Sequence, residues 1–199
     1  MSDREMKPFF PLSVFLLPGE DIPLRIFEPK YLQLIEESKK DGFTFVIPFQ
    51  RNGEIALYGS EVKLRQIVAE TKQGKMVVMV EGVSLVKIVS FQDKAAGKLY
   101  PEGLTERLNC FGGIANRELM QMIVSYTDQY DQHFLENSDE QNLGLLDITK
   151  ALNLSSDDKY DFVALTDTHL REQFLINQMR YLVLIRKQEQ LLGNDFGLN

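Results

Sequence analysis

Cysteine is almost absent from this chain. Cys110 is the single one among 199 residues, so no internal disulfide can form, which fits a reducing compartment. It has no CxxC context and no neighbouring histidine, and it reads as a small buried filler rather than a nucleophile. Histidine is nearly as scarce. His133 and His169 each fall in a predicted helix among acids, and one cysteine with two scattered histidines cannot build a zinc site without several carboxylates. Long apolar runs are missing too. The stretch Met76-Val77-Val78-Met79-Val80 is far short of the ~20 residues that cross a bilayer. The opening Met1-Ser2-Asp3-Arg4-Glu5 has no apolar segment behind it of the kind a secretory signal carries. A soluble, cytoplasmic protein with no membrane partner is expected.

Nucleotide and nucleophile motifs are also lacking. Gly74-Lys75-Met76 and Gly97-Lys98-Leu99 have neither the upstream glycine spacing nor the Ser/Thr that a phosphate loop needs to hold magnesium. No GxGxxG and no GxSxG occurs, so neither a dinucleotide turn nor a nucleophile elbow is expected. Asp157, Asp158 and Asp161 suggest a divalent-ion site. The first two, however, open a predicted helix, where acids stabilise the helix dipole. The expectation is a protein without catalytic residues, cofactor or metal.

What the chain does have is an uneven charge. Residues 1–110 carry 15 basic and 15 acidic side chains, whereas residues 111–199 carry 7 and 14. The whole net charge of −7 therefore sits in the second half. A polyanion would be repelled there, which argues against a nucleic-acid partner.

The pattern changes character at Leu108-Asn109-Cys110-Phe111-Gly112-Gly113, where two glycines form a natural joint. Two domains are predicted, 1–110 and 111–199. In the first, residues 12–17 form a short apolar run ended by Pro18-Gly19. Residues 22–27, interrupted by Pro23, read as an edge strand. Pro29 suits the first turn of a helix, which Tyr31, Leu32, Leu34 and Ile35 continue and Asp41-Gly42 breaks. Strands are predicted at 43–49, 55–58, 61–68, 75–80 and 83–91. Asn52-Gly53 marks a hairpin, and Glu81-Gly82 a bulge. Val62, Leu64 and Gln66 are expected to face one way, with Lys63 and Arg65 opposite. Six or seven short strands and one helix suggest a small antiparallel barrel or paired sheets.

The second half reads as helical throughout. Helices are predicted at about 114–134, 145–152, from Ser155 as N-cap, and from Thr166-Asp167 to about 192, ended by Gly193. Residues 137–140 read as a polar loop. On the last helix Leu170, Phe174, Tyr181 and Ile185 form one line, and Leu175, Met179 and Leu182 a second. So wide an apolar arc needs cover on more than one side, from the chain's own helices or from a second copy in a homodimer.

One segment carries a further signal. Pro11-Leu12-Ser13-Val14-Phe15-Leu16-Leu17-Pro18-Gly19-Glu20 runs into Asp21-Ile22-Pro23-Leu24-Arg25-Ile26-Phe27-Glu28-Pro29-Lys30-Tyr31. This combination closely resembles the opening signature of the Lon protease N-terminal domain family. Residues 55–64, Val80-Glu81-Gly82-Val83 and Leu85-Val86-Lys87-Ile88 are similar to later strands of that family. Residues 146–154, 155–165 and His169-Leu170-Arg171 resemble its helical part. Lys30 stands where the family commonly has arginine, which keeps the charge but loses bidentate pairing.

The resemblance implies an α+β fold, a PUA-like β pseudo-barrel followed by an α-helical bundle. It implies a module that recognises substrates, without the ATPase and Ser-Lys protease domains that do the work in Lon. With the chain ending at Asn199, both are expected to be missing. Physically, Pro18, Gly19, Pro23 and Pro29 fix the chain path, Leu24, Ile26 and Phe27 are expected in the core, and Arg25 and Glu28 are expected to pair or to cap backbone. Arg25, Glu28 and Tyr31 are candidates for the polar fringe of a binding surface. Met76 and Met79 would mark a sheet edge to which an extended peptide adds, or a peptide would lie at the joint between the halves. The expected partners are polypeptide clients or a protease. RNA binding by a PUA-like barrel and a small-ligand sensor are the alternatives.

Overall fold

A computed structural model describes residues 4–72, 74–108, 113–135 and 143–196, with side chains described as far as 192. Cys110, Gln73, most of the glycine joint and the polar loop at 137–140 lie outside the described residues. The elements run β1 (Arg4–Pro8), β2 (Asp21–Ile26), α1 (Pro29–Asp41), β3 (Phe45–Arg51), β4 (Glu54–Glu70), β5 (Met76–Ile88), β6 (Glu102–Arg107), α2 (Arg117–Gln129), α3 (Leu145–Ala151), α4 (Ser156–Ala164) and α5 (Thr168–Phe196). The Cα trace divides into two compact units. One joins residues 1–110 with 155–160, and the other joins 111–154 with 161–199.

Local sequence explains the first unit's turns. Pro29 opens α1, Lys39 and Lys40 close its last turn, and Gly42 ends it at φ 73°, a left-handed cap that glycine adopts without steric cost. Asn52 and Gly53 take φ 54° and 83°, the conformation that joins β3 to β4 tightly. The runs at 55–58 and 61–68, expected as two strands, form the single 17-residue β4, and 75–80 and 83–91 merge into β5 of 13 residues. The expected bulge is present: Glu61 pairs with Ser84 and Val62 with Gly82, which leaves Val83 as the extra residue. A second irregularity between Leu64 and Gln66 breaks the expected alternation. Gln66 is exposed, and Ile67 turns inward in its place.

The six strands form one antiparallel sheet in the order β1-β6-β5-β4-β3, with β2 on β5. After β1, Phe9 and Leu12 bridge in parallel to Val46 and Phe49 on β3, so the two ends of that order meet. The core inside holds Leu24, Ile26, Tyr31, Leu34, Ile35, Phe45, Ile47, Val62, Val78 and Val80. Each such side chain contributes about 1.5–3 kcal/mol by leaving water.

The run 12–17 is not a strand but a strap, and its sequence becomes intelligible here. Ser60 Oγ accepts from the Leu16 N–H and donates to the Leu16 carbonyl, both at 2.8 Å. The Gly19 N–H donates to the Gly82 carbonyl and the Gly82 N–H to that of Glu20. A Cβ at Gly82 would lie 2.4 Å from the Leu17 carbonyl oxygen. Pro18-Gly19 is thus the corner of a chain laid directly on the sheet. Residues 155–160 belong to the same unit. Ser156 Oγ accepts from the Phe15 N–H at 3.1 Å, Lys159 Nζ pairs with Glu20 at 2.7 Å, and Tyr160 stacks on Phe49 with centroids 5.1 Å apart.

In the second unit, Asn116 caps α2 by accepting from the Leu119 N–H. Asp167 Oδ1 accepts from the His169 and Leu170 N–H groups at the start of α5. Leu119, Ile123, Tyr126, Ile148, Phe162, Leu175, Ile176 and Met179 are buried. Three expectations need correction. The helix does not stop at Gly193 but runs to Phe196. The first predicted line on α5 is only half covered, since Leu170 and Tyr181 are exposed. Ile176, which neither line included, is buried because it shares an arc with Leu175 and Met179.

Candidate functional site

The signature segment divides at its end into an inward and an outward row. Along β2, Leu24 and Ile26 point into the core while Arg25 is exposed, the period-two alternation of a half-buried strand. The same alternation carries Phe27 outward. It was expected in the core, yet it is 63% exposed. Its place follows from strand parity and not from its hydrophobicity.

Beside Phe27 is a shallow depression of about 200 Å³, lined by Arg25, Ile26, Phe27, Ala69, Thr71, Lys75, Met76 and Val77. Most of that lining is apolar. The far edge of β2 pairs with no strand among the described residues. Pro23, which has no N–H to offer, sits in this strand as an edge strand tolerates.

Met76 and Met79 do not mark a sheet edge. Residues 76–81 of β5 pair with β4 on one side, from Lys63↔Glu81 to Glu70↔Met76, and with β2 on the other, from Asp21↔Glu81 to Ile26↔Met76. Both edges are taken, so a peptide cannot add there. Sequence showed no sign of this, because the run that pairs on its second side is separated from β5 by two other strands and a helix. Met76 is buried, with part of its surface in the depression, and Met79 is half-buried between Pro23 and Gln66 in register.

Glu28 and Tyr31 belong to a different surface. The Glu28 backbone carbonyl accepts from the Tyr31 and Leu32 N–H groups at the start of α1. Its carboxylate pairs with Lys30 at 3.2 Å, so its recorded partner is Lys30 and not Arg25. Tyr31 is 7% exposed and stacks on Phe10 with centroids 3.9 Å apart; it is a core residue more than a polar fringe. Burial pushes its phenol up from the ordinary value. Burial opposes the charge on Lys30, but Glu28 and the Tyr31 hydroxyl outweigh it and raise that ammonium. These residues line a groove of about 470 Å³ together with Gln50, Phe91 and Asp93. The five predicted residues are thus not one constellation: Arg25 and Met76 share one depression, Glu28 and Tyr31 another, and Met79 lies in neither.

Polar groups elsewhere are tied to neighbours within the fold. Glu61 accepts from Thr44 at 2.6 Å, from Ser84, and from Lys7 at 3.1 Å. Burial alone would raise its carboxyl, but these hydrogen bonds outweigh it and hold the group below the usual carboxylate range. Asp157 pairs with Arg51 at 2.9 Å, and Asp158 is held by Ser155. Among the described residues no group of three His, Cys, Asp or Glu side chains is placed to hold a metal ion. Among the same residues, no helix is long and apolar enough to cross a membrane.

These features define an α+β protein in which a six-stranded antiparallel sheet precedes a cluster of helices. Residues 7–163 match the model of the ATP-dependent protease La (LON) substrate-binding domain, and the chain belongs to that family. Two solved structures share the fold. A Lon N-terminal domain protein from Xanthomonas campestris is 20% identical with a TM-score of 0.66, covering 87% of this chain and 98% of that one. The N-terminal domain of a Mycobacterium avium complex Lon protease is 12% identical with a TM-score of 0.62, covering 88% and 98%. No curated protein matches the chain. The matched model describes a substrate-binding domain, and it spans the sheet and the helices as far as residue 163.

Proposed function

We propose that this chain is a substrate-recognition module that binds polypeptides through their exposed apolar side chains, holding unfolded clients or presenting them to a protease as an adaptor. The observation that carries this reading is Phe27, 63% exposed above the apolar depression formed with Met76 and Val77. A large ring held in water beside an apolar hollow is the anchor-and-pocket arrangement of protein-binding surfaces. Arg25 borders it and supplies a charge that fixes orientation. Glu28 and Tyr31 flank a second groove that a longer client reaches, and Met79 takes no part in either surface. The reading treats 1–110, completed by 155–160, as the recognition domain and the remaining helices as a second domain.

The test is binding of a fluorescently labelled, permanently unfolded polypeptide, with suppression of its aggregation as a second readout. The wild type is expected to bind and to delay aggregation. Phe27→Asp is expected to weaken binding at least about tenfold, as loss of a central aromatic anchor does, while its circular dichroism stays unchanged. Equal binding by wild type and Phe27→Asp, or tight, salt-sensitive binding of RNA in place of the polypeptide, would refute the proposal.

A further inference from the structure

Strand β4 outlasts its neighbour. β3 pairs with it only as far as Phe45↔Val62, whereas β5 continues along the other side to Glu70↔Met76. From residue 63 to residue 70, the outer edge of β4 therefore meets no strand among the described residues. Residues 65, 66 and 68–70 are exposed. A bare edge of this kind presents backbone N–H and C=O groups that another strand can pair with.

Between this edge and the end of α1 is a groove of about 470 Å³, lined by Phe43, Leu64 and Ile67 and by the basic residues Lys39, Lys63 and Arg65, with no acidic residue in its lining. Among the described residues, Glu81 on β5 pairs with two of these, 3.1 Å from Lys63 and 2.7 Å from Arg65, and the exposed Glu70 stands at the far end of the edge. Three basic residues in the lining against the Glu81 and Glu70 carboxylates leave a net positive charge at the groove. An unpaired strand edge, apolar side chains and surplus positive charge together fit an extended polypeptide that alternates acidic with apolar residues. A nucleic acid would satisfy the cations but has no peptide backbone to pair with the edge.

We propose that the outer edge of β4, residues 63–70, is a docking site for an extended acidic peptide segment, which adds to the sheet as a further strand. The proposal shares with the preceding one the idea that this chain holds polypeptide, but it places a different sequence class on a different surface. The register shifts at Leu64/Gln66 and Ile67/Ala69 interrupt the ladder, so a short segment of about six residues, a typical strand length, is the natural occupant.

The probe is a labelled peptide of alternating Glu and Val, compared by fluorescence anisotropy with the same peptide carrying Lys for Glu. The acidic peptide is expected to bind, more weakly as salt rises, and the basic one to fail. Lys39→Glu is expected to weaken binding about threefold, the effect of one exposed charge. Lys63→Glu with Arg65→Glu should weaken it further. Lys39 lies outside the recorded Glu81 pairs, so that variant decides the matter even if the double variant misfolds. Hydrogen exchange should slow at amides of residues 63–70 on binding, and Phe27→Asp should bind the acidic peptide as the wild type does. Absence of binding, equal binding by Lys39→Glu, or tighter binding of a short RNA with no slowing of the β4 amides would overturn the proposal. Loss of acidic-peptide binding in Phe27→Asp would do the same. If the unfolded client is not held but the acidic peptide still is, the first proposal fails and this one stands.

Discussion

Replacing Ser60 with alanine probes how the strap 12–17 is held. Ser60 is fully buried and Leu16 is 2% exposed. One hydroxyl serves both backbone groups of Leu16 at 2.8 Å. Alanine removes it and leaves a buried N–H and a buried C=O facing a methyl group. An orphaned buried donor or acceptor costs about 1–3 kcal/mol. The two are adjacent and relax together, so a total of about 2–4 kcal/mol is expected. At a urea dependence of about 1–3 kcal/mol per molar, the unfolding midpoint should fall by roughly 1–2 M with no change of slope. Far-ultraviolet circular dichroism across a urea series measures this. Ser90→Ala is the control, because Ser90 makes a similar bond to the Leu104 N–H on an exposed surface, where water replaces it. Equal midpoints for the two variants would show that the Ser60 bridge does not hold the strap.

Other substitutions test neighbouring steps of the argument. Gly82→Ala should destabilise by about 2–3 kcal/mol in thermal unfolding, since its Cβ meets the Leu17 carbonyl at 2.4 Å and backbone must shift. Glu61 has a folded-state pKa below the ordinary value. Its contribution is therefore complete above the unfolded value of about 4.3 and fades as pH falls through the lower folded value. The stability gap between wild type and Glu61→Gln should accordingly be largest near neutral pH and shrink below about pH 4. Tyr126→Phe removes the hydroxyl that accepts from Arg186 Nε at 3.1 Å and should cost about 1 kcal/mol, read from the same urea series.

The parts of the fold written in local chemistry were legible. Pro29 and Gly42 bounded α1, Asn52-Gly53 turned the hairpin, and Ser155 and Asp167 marked helix starts, because a cap or turn depends on residues a few positions apart. Strands β1 and β6 were not foreseen. They pair with each other across nearly a hundred residues, from Arg4↔Glu106 to Pro8↔Glu102, and neither alternates strongly on its own. The candidate site was less legible for the same reason. Which strand supplies a free edge depends on partners distant in sequence, so the apolar run of β5 suggests an edge where, among the described residues, β2 and β4 carry the unpaired ones. Hydrophobicity alone assigns Phe27 to the core, whereas the alternation Leu24, Arg25, Ile26 points it outward.

The grouping of residues 155–160 with the strands has a practical corollary for anyone dissecting the molecule. An excised fragment stopping at residue 110 would keep β1 to β6 and still be incomplete. It would leave Glu20 without the Lys159 ammonium at 2.7 Å and uncover the rings of Phe15 and Phe49 where Tyr160 now lies. Aggregation of such a fragment would report amputation, not an inability of the sheet to fold.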